Sequence, residues 1–304
     1  MKIVNIIGGL GNQMFQYAFA VTLKERWPEE EVKIDTQLYR FPLKKVYRGN
    51  NFYHNGFEIQ RIFPNADIPE ASMWDLMRVS YYIPNYILYK ATRRVLRYRK
   101  SELLQTYKNA YIYDAGVLDS DASYFEGYWM NPAYFENKRN ALLKAFSFRE
   151  FNTEENRKWA TMLASDKSVT IHVRRGDYVG GETFKGICTL RYYQRAIDEA
   201  KHRLAEPEFF VFSNDQEWCM TNLKDAFGDS NVNFIANNKG ENSYRDMQLM
   251  TLARCNILAN SSFSWWGAYL NQREDQIVLC PEKWVNNLKG EGMLLKEWIK
   301  ISGR

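Results

Sequence analysis

Apolar and polar positions alternate along the second half of this 304-residue chain in a regular series. A β-branched run from Ser168 predicts a buried strand over 168–174, followed by a helix near 190–204 and a strand over 208–213. Helix 215–225, strand 232–235, helix 243–254, strand 256–259, helix 263–271 and strand 276–280 continue the pattern. Five strands separated by helices predict a parallel, doubly wound sheet. Ser243-x-x-Asp246 fits a capping box, and a last helix is expected over 292–301. The first half also starts β-α-β. Residues 3–7 read as a strand ending at Gly8-Gly9, Asn12 to Arg26 as a helix, and Val32 to Ile34 as a strand. Periodicity then fades over 36–70. Asn131-Pro132 predicts a helix start running to Phe146, and Thr153 caps another helix. The change of pattern places a boundary near 165, dividing two α/β domains at 1–165 and 166–304.

Residues 76–100 stand apart, with seven basic residues and no acid. On a helical wheel Lys90, Arg93, Arg94 and Arg97 share one face, and Ile87, Leu88, Ala91, Val95 and Tyr98 share another. A solvated face is one reading. Peripheral contact with anionic lipid of an inner membrane is the other.

Charge and composition narrow the class. A net charge of +5 is too mild to call for nucleic acid. Four cysteines without a CxxC pair, and three histidines, assemble no zinc pattern and suit a reducing, cytoplasmic compartment. Gly8, Gly9, Gly11 and neighbouring polar residues break the N-terminal apolar stretch, against a signal peptide. No run reaches the ~18 apolar residues of a membrane span. The sequon at Asn260 is read as chance.

Four clusters carry candidate chemistry. Gly8-Gly9-Leu10-Gly11-Asn12-Gln13 lies between a strand and a helix, where backbone approaches a ligand closely. Met14 replaces the third glycine of a dinucleotide fingerprint, and no Gly-Lys-Ser/Thr follows to make a P-loop. His172-Val173-Arg174-Arg175-Gly176-Asp177 ends the first strand of the regular series, and arginine suits forked recognition of phosphate. Phe212-Ser213-Asn214-Asp215 ends the next strand, with Asp215 as N-cap or as a carboxylate for ribose or a base edge. Asn260-Ser261-Ser262-Phe263-Ser264 opens a helix with hydroxyls and N–H groups suited to an anion. The last three converge at the C-terminal ends of parallel strands, where open α/β sheets bind ligands.

Together Gly8–Ala18, His172–Tyr178, Phe212–Asp215 and Asn260–Ala268 resemble the motif set of the α-1,2-fucosyltransferases, glycosyltransferase family 11. The lack of an N-terminal anchor resembles bacterial members. The resemblance implies a GT-B type fold with two Rossmann-like domains, GDP-β-L-fucose as donor and the 2-hydroxyl of a β-galactoside glycan as acceptor. It implies inversion at the fucose carbon, with no cofactor and no metal. By position it places the donor pyrophosphate on Arg174, with Gly9, Gly11, Ser213, Asp215, Asn260, Ser261, Ser262, Phe263 and Ser264 as further donor contacts. Asn12 and Gln13 fall to the acceptor side. His172 and Asp177 are the candidate general bases. A fucosyltransferase of α-1,6 or O-linked specificity and a nucleotide-sugar-binding module without turnover remain alternatives.

Overall fold

Two separate parallel sheets organise the chain in the computed structural model, which describes residues 1–40, 55–93, 95, 96, 98–176 and 181–304. They belong to two units, Met1–Ser147 and Phe148–Arg304. The division falls before the boundary expected near 165, because the intervening helix packs with the second unit. Its Leu163 and Trp159 lie with Phe210, Phe212 and Leu249.

In the first unit β1 (Lys2–Asn5) leads through a glycine turn into α1 (Leu10–Arg26) and β2 (Val32–Asp35). Helix α1 is buried on nearly every side from Leu10 to Leu23, and its buried Gln13 and Gln16 are satisfied by hydrogen bonds to backbone. Helices α2 (Met73–Val79) and α3 (Tyr86–Thr92) precede β3 (Glu102–Leu104) and β4 (Tyr124–Glu126). The strand order is β2-β1-β4-β3, all parallel. The chain therefore changes direction across the sheet between β1 and β4.

The single helix suggested by the wheel over 76–100 is two short helices. Ser72 and Asn85 cap them. Arg93 does not share a solvent face with its basic neighbours. Its guanidinium is buried, stacked 4.5 Å from the Tyr89 ring and paired with Glu102 at 2.8 Å and Glu126 at 2.6 Å. Lys90 also reaches Glu126, at 2.7 Å. Arg94 and Arg97 lie outside the described residues. The helix expected from Asn131 to Phe146 is likewise broken. Asn131 caps a 3-10 turn over Pro132–Phe135, Asn137 takes a positive φ of 62°, and a new helix runs over Arg139–Ala145.

The second unit keeps the predicted series. Its elements are α4 (Glu154–Leu163), β5 (Ser168–Val173), α5 (Leu190–Arg203), β6 (Glu208–Ser213), α6 (Gln216–Asn222) and β7 (Val232–Ile235). Then come α7 (Tyr244–Met250), β8 (Cys255–Ile257), α8 (Ser262–Tyr269), β9 (Ile277–Pro281) and β10 (Ile299–Ile301). The last of these replaces the expected terminal helix. Ile299-Lys300-Ile301 alternates with period two and pairs parallel to Leu279–Pro281. Read from β7, the order β7-β6-β5-β8-β9-β10 is the 3-2-1-4-5-6 order of a dinucleotide-binding fold. Each unit is thus Rossmann-like, and the second has its topological switch point between β5 and β8.

Candidate functional site

The switch point gathers two of the four clusters. β5 pairs with β8 through Val169–Ile171 and Cys255–Ile257, so their C-terminal loops emerge side by side. From β5 come His172, Arg174 and Arg175, and from the loop after β8 come Asn260 to Ser264. The Phe263 ring lies 5.6 Å from the His172 imidazole, joining the two loops. Arg174, in the loop after β5, and Ser262 and Phe263, at the N-terminus of α8, are partly exposed. A guanidinium and a helix N-terminus each suit an anion, and the strand ends that lead to them are adjacent.

His172 is buried, and its Nδ1 has no hydrogen-bond partner. Burial, helped by the Arg174 charge, pushes its pKa down to about 3. The imidazole is neutral near pH 7 and a poor proton acceptor, which argues against the general-base role read from sequence. Its unmet nitrogen is suited to a neutral hydrogen bond with a ligand. Asp177 lies outside the described residues.

Several predicted contacts turn out to be supports. Asn260 is buried, donates to the Trp284 carbonyl at 3.1 Å and accepts from the Cys188 thiol. Ser264 is fully buried and its hydroxyl bonds the Ala259 and Ser261 carbonyls. Ser261 caps α8 by accepting from the Phe263 N–H. Asp215 is also engaged on both oxygens. One caps α6 at the Trp218 N–H, and the other meets Arg175 Nε at 3.1 Å. Ser213 accepts from the Asp215 N–H. These hydrogen bonds shape the loops at the strand ends. Arg175 lies 4.0 Å over the Trp218 ring, turned into this support rather than toward the switch point. Asn214 accepts from the Arg175 N–H, and a Cβ on Gly176 would meet its Nδ2 at 2.6 Å, so a larger residue there would displace the Asn214 side chain.

A second polar cluster at the same sheet edge escaped the sequence reading. Ser243, itself helical at φ −58° and ψ −24°, makes no side-chain cap, so the capping box does not form. Asp246 instead accepts from Asn238 at 2.8 Å, just beyond β7. Asn238 exchanges hydrogen bonds with Asn156, and Asn237 Oδ1 is buried without a partner. Burial lifts the Asp246 pKa to about 7. A carboxyl so perturbed at a ligand-binding edge marks a functional candidate. The only sequence signal was an acid directly before the buried run Met247–Met250, which looks like any first-turn acid.

In the first unit the corresponding switch point lies between β1 and β4. Gly8 has φ +84°, and the Asn12 side chain folds over it so closely that a Cβ would meet Nδ2 at 2.7 Å. Gly9 caps α1 and remains partly exposed, while Gly11 is buried. Gln13, expected on the acceptor side, is fully buried. Its amide donates to the Gly8 and Gly56 carbonyls and accepts from the Glu58 N–H, so it holds the turn. Gln16 ties the two strand ends together, accepting from the Ile7 N–H and donating to the Gly127 carbonyl. Beyond β4, Gln105 Oε1 accepts both the Tyr128 and Trp129 N–H groups and stabilises a turn in which Trp129 has φ 51°. This edge is aromatic. Tyr39 donates to the Gly8 carbonyl and lies 6.1 Å from Phe57. Tyr128 lies 5.9 Å from the exposed Tyr107.

Comparison with known proteins agrees with this arrangement of motifs. Residues 98–302 match the family description "Glycosyl transferase family 11". An alpha-1,2-colitosyltransferase of Escherichia coli is 31% identical, over 98% of this chain and 98% of its own. The O-antigen biosynthesis glycosyltransferase WbnK of Escherichia coli is 27% identical, over 97% of this chain and 98% of its own. Galactoside alpha-(1,2)-fucosyltransferase 2 of Gorilla gorilla gorilla is 27% identical, over 99% of this chain and 79% of its own. With that span of matched sequence, the chain belongs to glycosyltransferase family 11.

Proposed function

We propose that this chain transfers L-fucose from GDP-β-L-fucose to the 2-hydroxyl of a terminal galactose, inverting the fucose carbon, in the synthesis of a bacterial surface glycan. The observation that carries the reading is that the strand ends leading to Arg174 and to the α8 N-terminus are adjacent at the β5–β8 switch point. Departure of GDP leaves an oxocarbenium-like sugar and places growing negative charge on the β-phosphate. Arg174 and the N-terminus of α8 are assigned to that charge where it develops. His172 supplies a neutral hydrogen bond. The half-buried Asp246 is suited to the N1–H and N2–H donors of guanine. Support for an α-1,2 linkage comes from the names of the relatives, one of which transfers colitose.

The acceptor falls to the first unit. Tyr107 and Tyr128 offer a platform for the apolar face of a pyranose, beside Asn12 at the glycine turn. Replacing either tyrosine by alanine should raise the acceptor KM about 3–10-fold, the scale of one aromatic contact. The KM for GDP-fucose should not move. A shift in both constants would place these rings elsewhere in the reaction.

The decisive assay incubates the protein with GDP-fucose, or a colitose donor, and a panel of β-galactosides, followed by linkage analysis. The expected product is 2-O-fucosylated, with GDP release that depends on acceptor. Another linkage would favour the α-1,6 or O-linked alternative, and binding without GDP release would favour a module without turnover. Because an arginine and backbone N–H groups are assigned the neutralising role, turnover should survive EDTA.

A further inference from the structure

Helix α3 is amphipathic the wrong way round for a helix that serves only its own core. Its inner face carries Tyr86 and Tyr89, and the Tyr89 ring stacks on Tyr81 at 3.8 Å. Lys90 and the following Arg93 are turned toward Glu126 and Glu102. Its outer face carries Ile87, Leu88 and Ala91, all exposed, and Val95 and Leu96 just after the helix are exposed as well. Val95 is 85% exposed and Trp74, on neighbouring α2, is 78% exposed. Isolated exposed apolar side chains are ordinary, but most of the large exposed ones among the described residues fall between Trp74 and Tyr98.

The same stretch has a charge of one sign. Residues 76–100 contain seven basic residues and no acid. Glu102 and Glu126 answer Lys90 and Arg93. Among the described residues Arg99 bonds the carbonyls of Met77, Arg78 and Tyr81, lies over the Tyr82 ring and meets no carboxylate. Arg78 and Lys100 are exposed. Exposed aliphatic and tryptophan side chains among cations suit the boundary of an anionic bilayer. A second copy of the chain is a poor occupant, because a two-fold contact would set this basic surface against itself. No helix among the described residues is long and apolar enough to cross a membrane.

We infer that the outer face of α3, with Trp74, Val95 and Leu96, is a docking surface for anionic lipid that holds the protein peripherally on a membrane. This does not depend on the fucosyl-transfer reading. The test is flotation of the full chain with vesicles of phosphatidylcholine alone or mixed with phosphatidylglycerol. Wild type should float with the mixed vesicles, not with the neutral ones, and high salt should weaken the association. The triple variant Ile87→Ser, Leu88→Ser, Val95→Ser should lose about tenfold or more of that binding, the consequence of removing the apolar contact. Its melting temperature and its turnover of a soluble acceptor should stay at wild-type values. Failure of wild type to float, or equal flotation of the triple variant, overturns the assignment. So does a concentration-dependent dimer that the triple variant abolishes, which would make the face a contact between copies.

Discussion

Replacing Arg174 by lysine should lower kcat by about 10²–10³-fold, the usual cost of losing one preorganised donor to a developing oxyanion. Lysine keeps the charge but not the planar fork, so the loss reports geometry rather than electrostatics alone. The neighbouring Arg175 is the control. Its guanidinium is held by Asp215 and the Trp218 ring, so Arg175→Ala should lower the melting temperature and change kcat only a few-fold. Single-turnover kinetics with GDP-fucose in excess would separate the two effects. Wild-type kcat in the folded Arg174→Lys protein would remove Arg174 from the proposed chemistry. An equal loss at Arg175 would mean that the whole turn, not one side chain, was disturbed.

The contrast between these arginines shows where sequence reasoning works and where it stops. Strands β5 to β9 of the second unit were legible because each is a short apolar run bounded by helix signals, and burial of β5 at all six positions agrees; β10 was not. The placement of motifs at strand ends was legible for the same reason. The partner of each polar side chain was not. Asn260, Ser264 and Gln13 look like ligand contacts in a motif, yet their hydrogen bonds lie inside the fold. For Asn260 and Gln13 nothing local predicts this, because the carbonyls they meet at Trp284 and Gly56 are distant in sequence, whereas Ser264 bonds back to its own turn. The reverse holds for α3. Its apolar stripe reads as core from periodicity alone, but tertiary packing buries the tyrosine face instead, against the Asp35 network of Tyr81 and Tyr124. Single residues of left-handed backbone, as at Asn137, also end helices that periodicity would continue.

Asp246→Asn should separate stability from function in opposite directions. The folded-state pKa of Asp246 is raised to about 7, above its ordinary value of 3.8, because burial penalises the charged carboxylate. The native state therefore binds the proton more tightly than the unfolded chain, and the stability this group contributes is lost as pH rises from about 4 to about 7. Above that window the wild type carries the full penalty, on the order of 2–4 kcal/mol for a shift of this size. Asparagine cannot ionise and keeps the oxygen that accepts from Asn238. The variant should thus melt several degrees higher than wild type at pH 8, and the two should converge below about pH 4. A buried ionisable group retained at such a cost calls for a use, and the proposed one is the guanine edge of the donor. The asparagine NH₂ would oppose a guanine donor where the carboxylate accepts from it. GDP affinity at pH 8 should then fall by about 10–100-fold, the cost of an unmet buried polar contact. Calorimetric titration with GDP checks this beside the melting curves. A more stable variant with unchanged GDP affinity would leave Asp246 as a purely structural strain. Loss of both stability and affinity would mean that the carboxylate is ionised and held by the asparagine cluster in the native state.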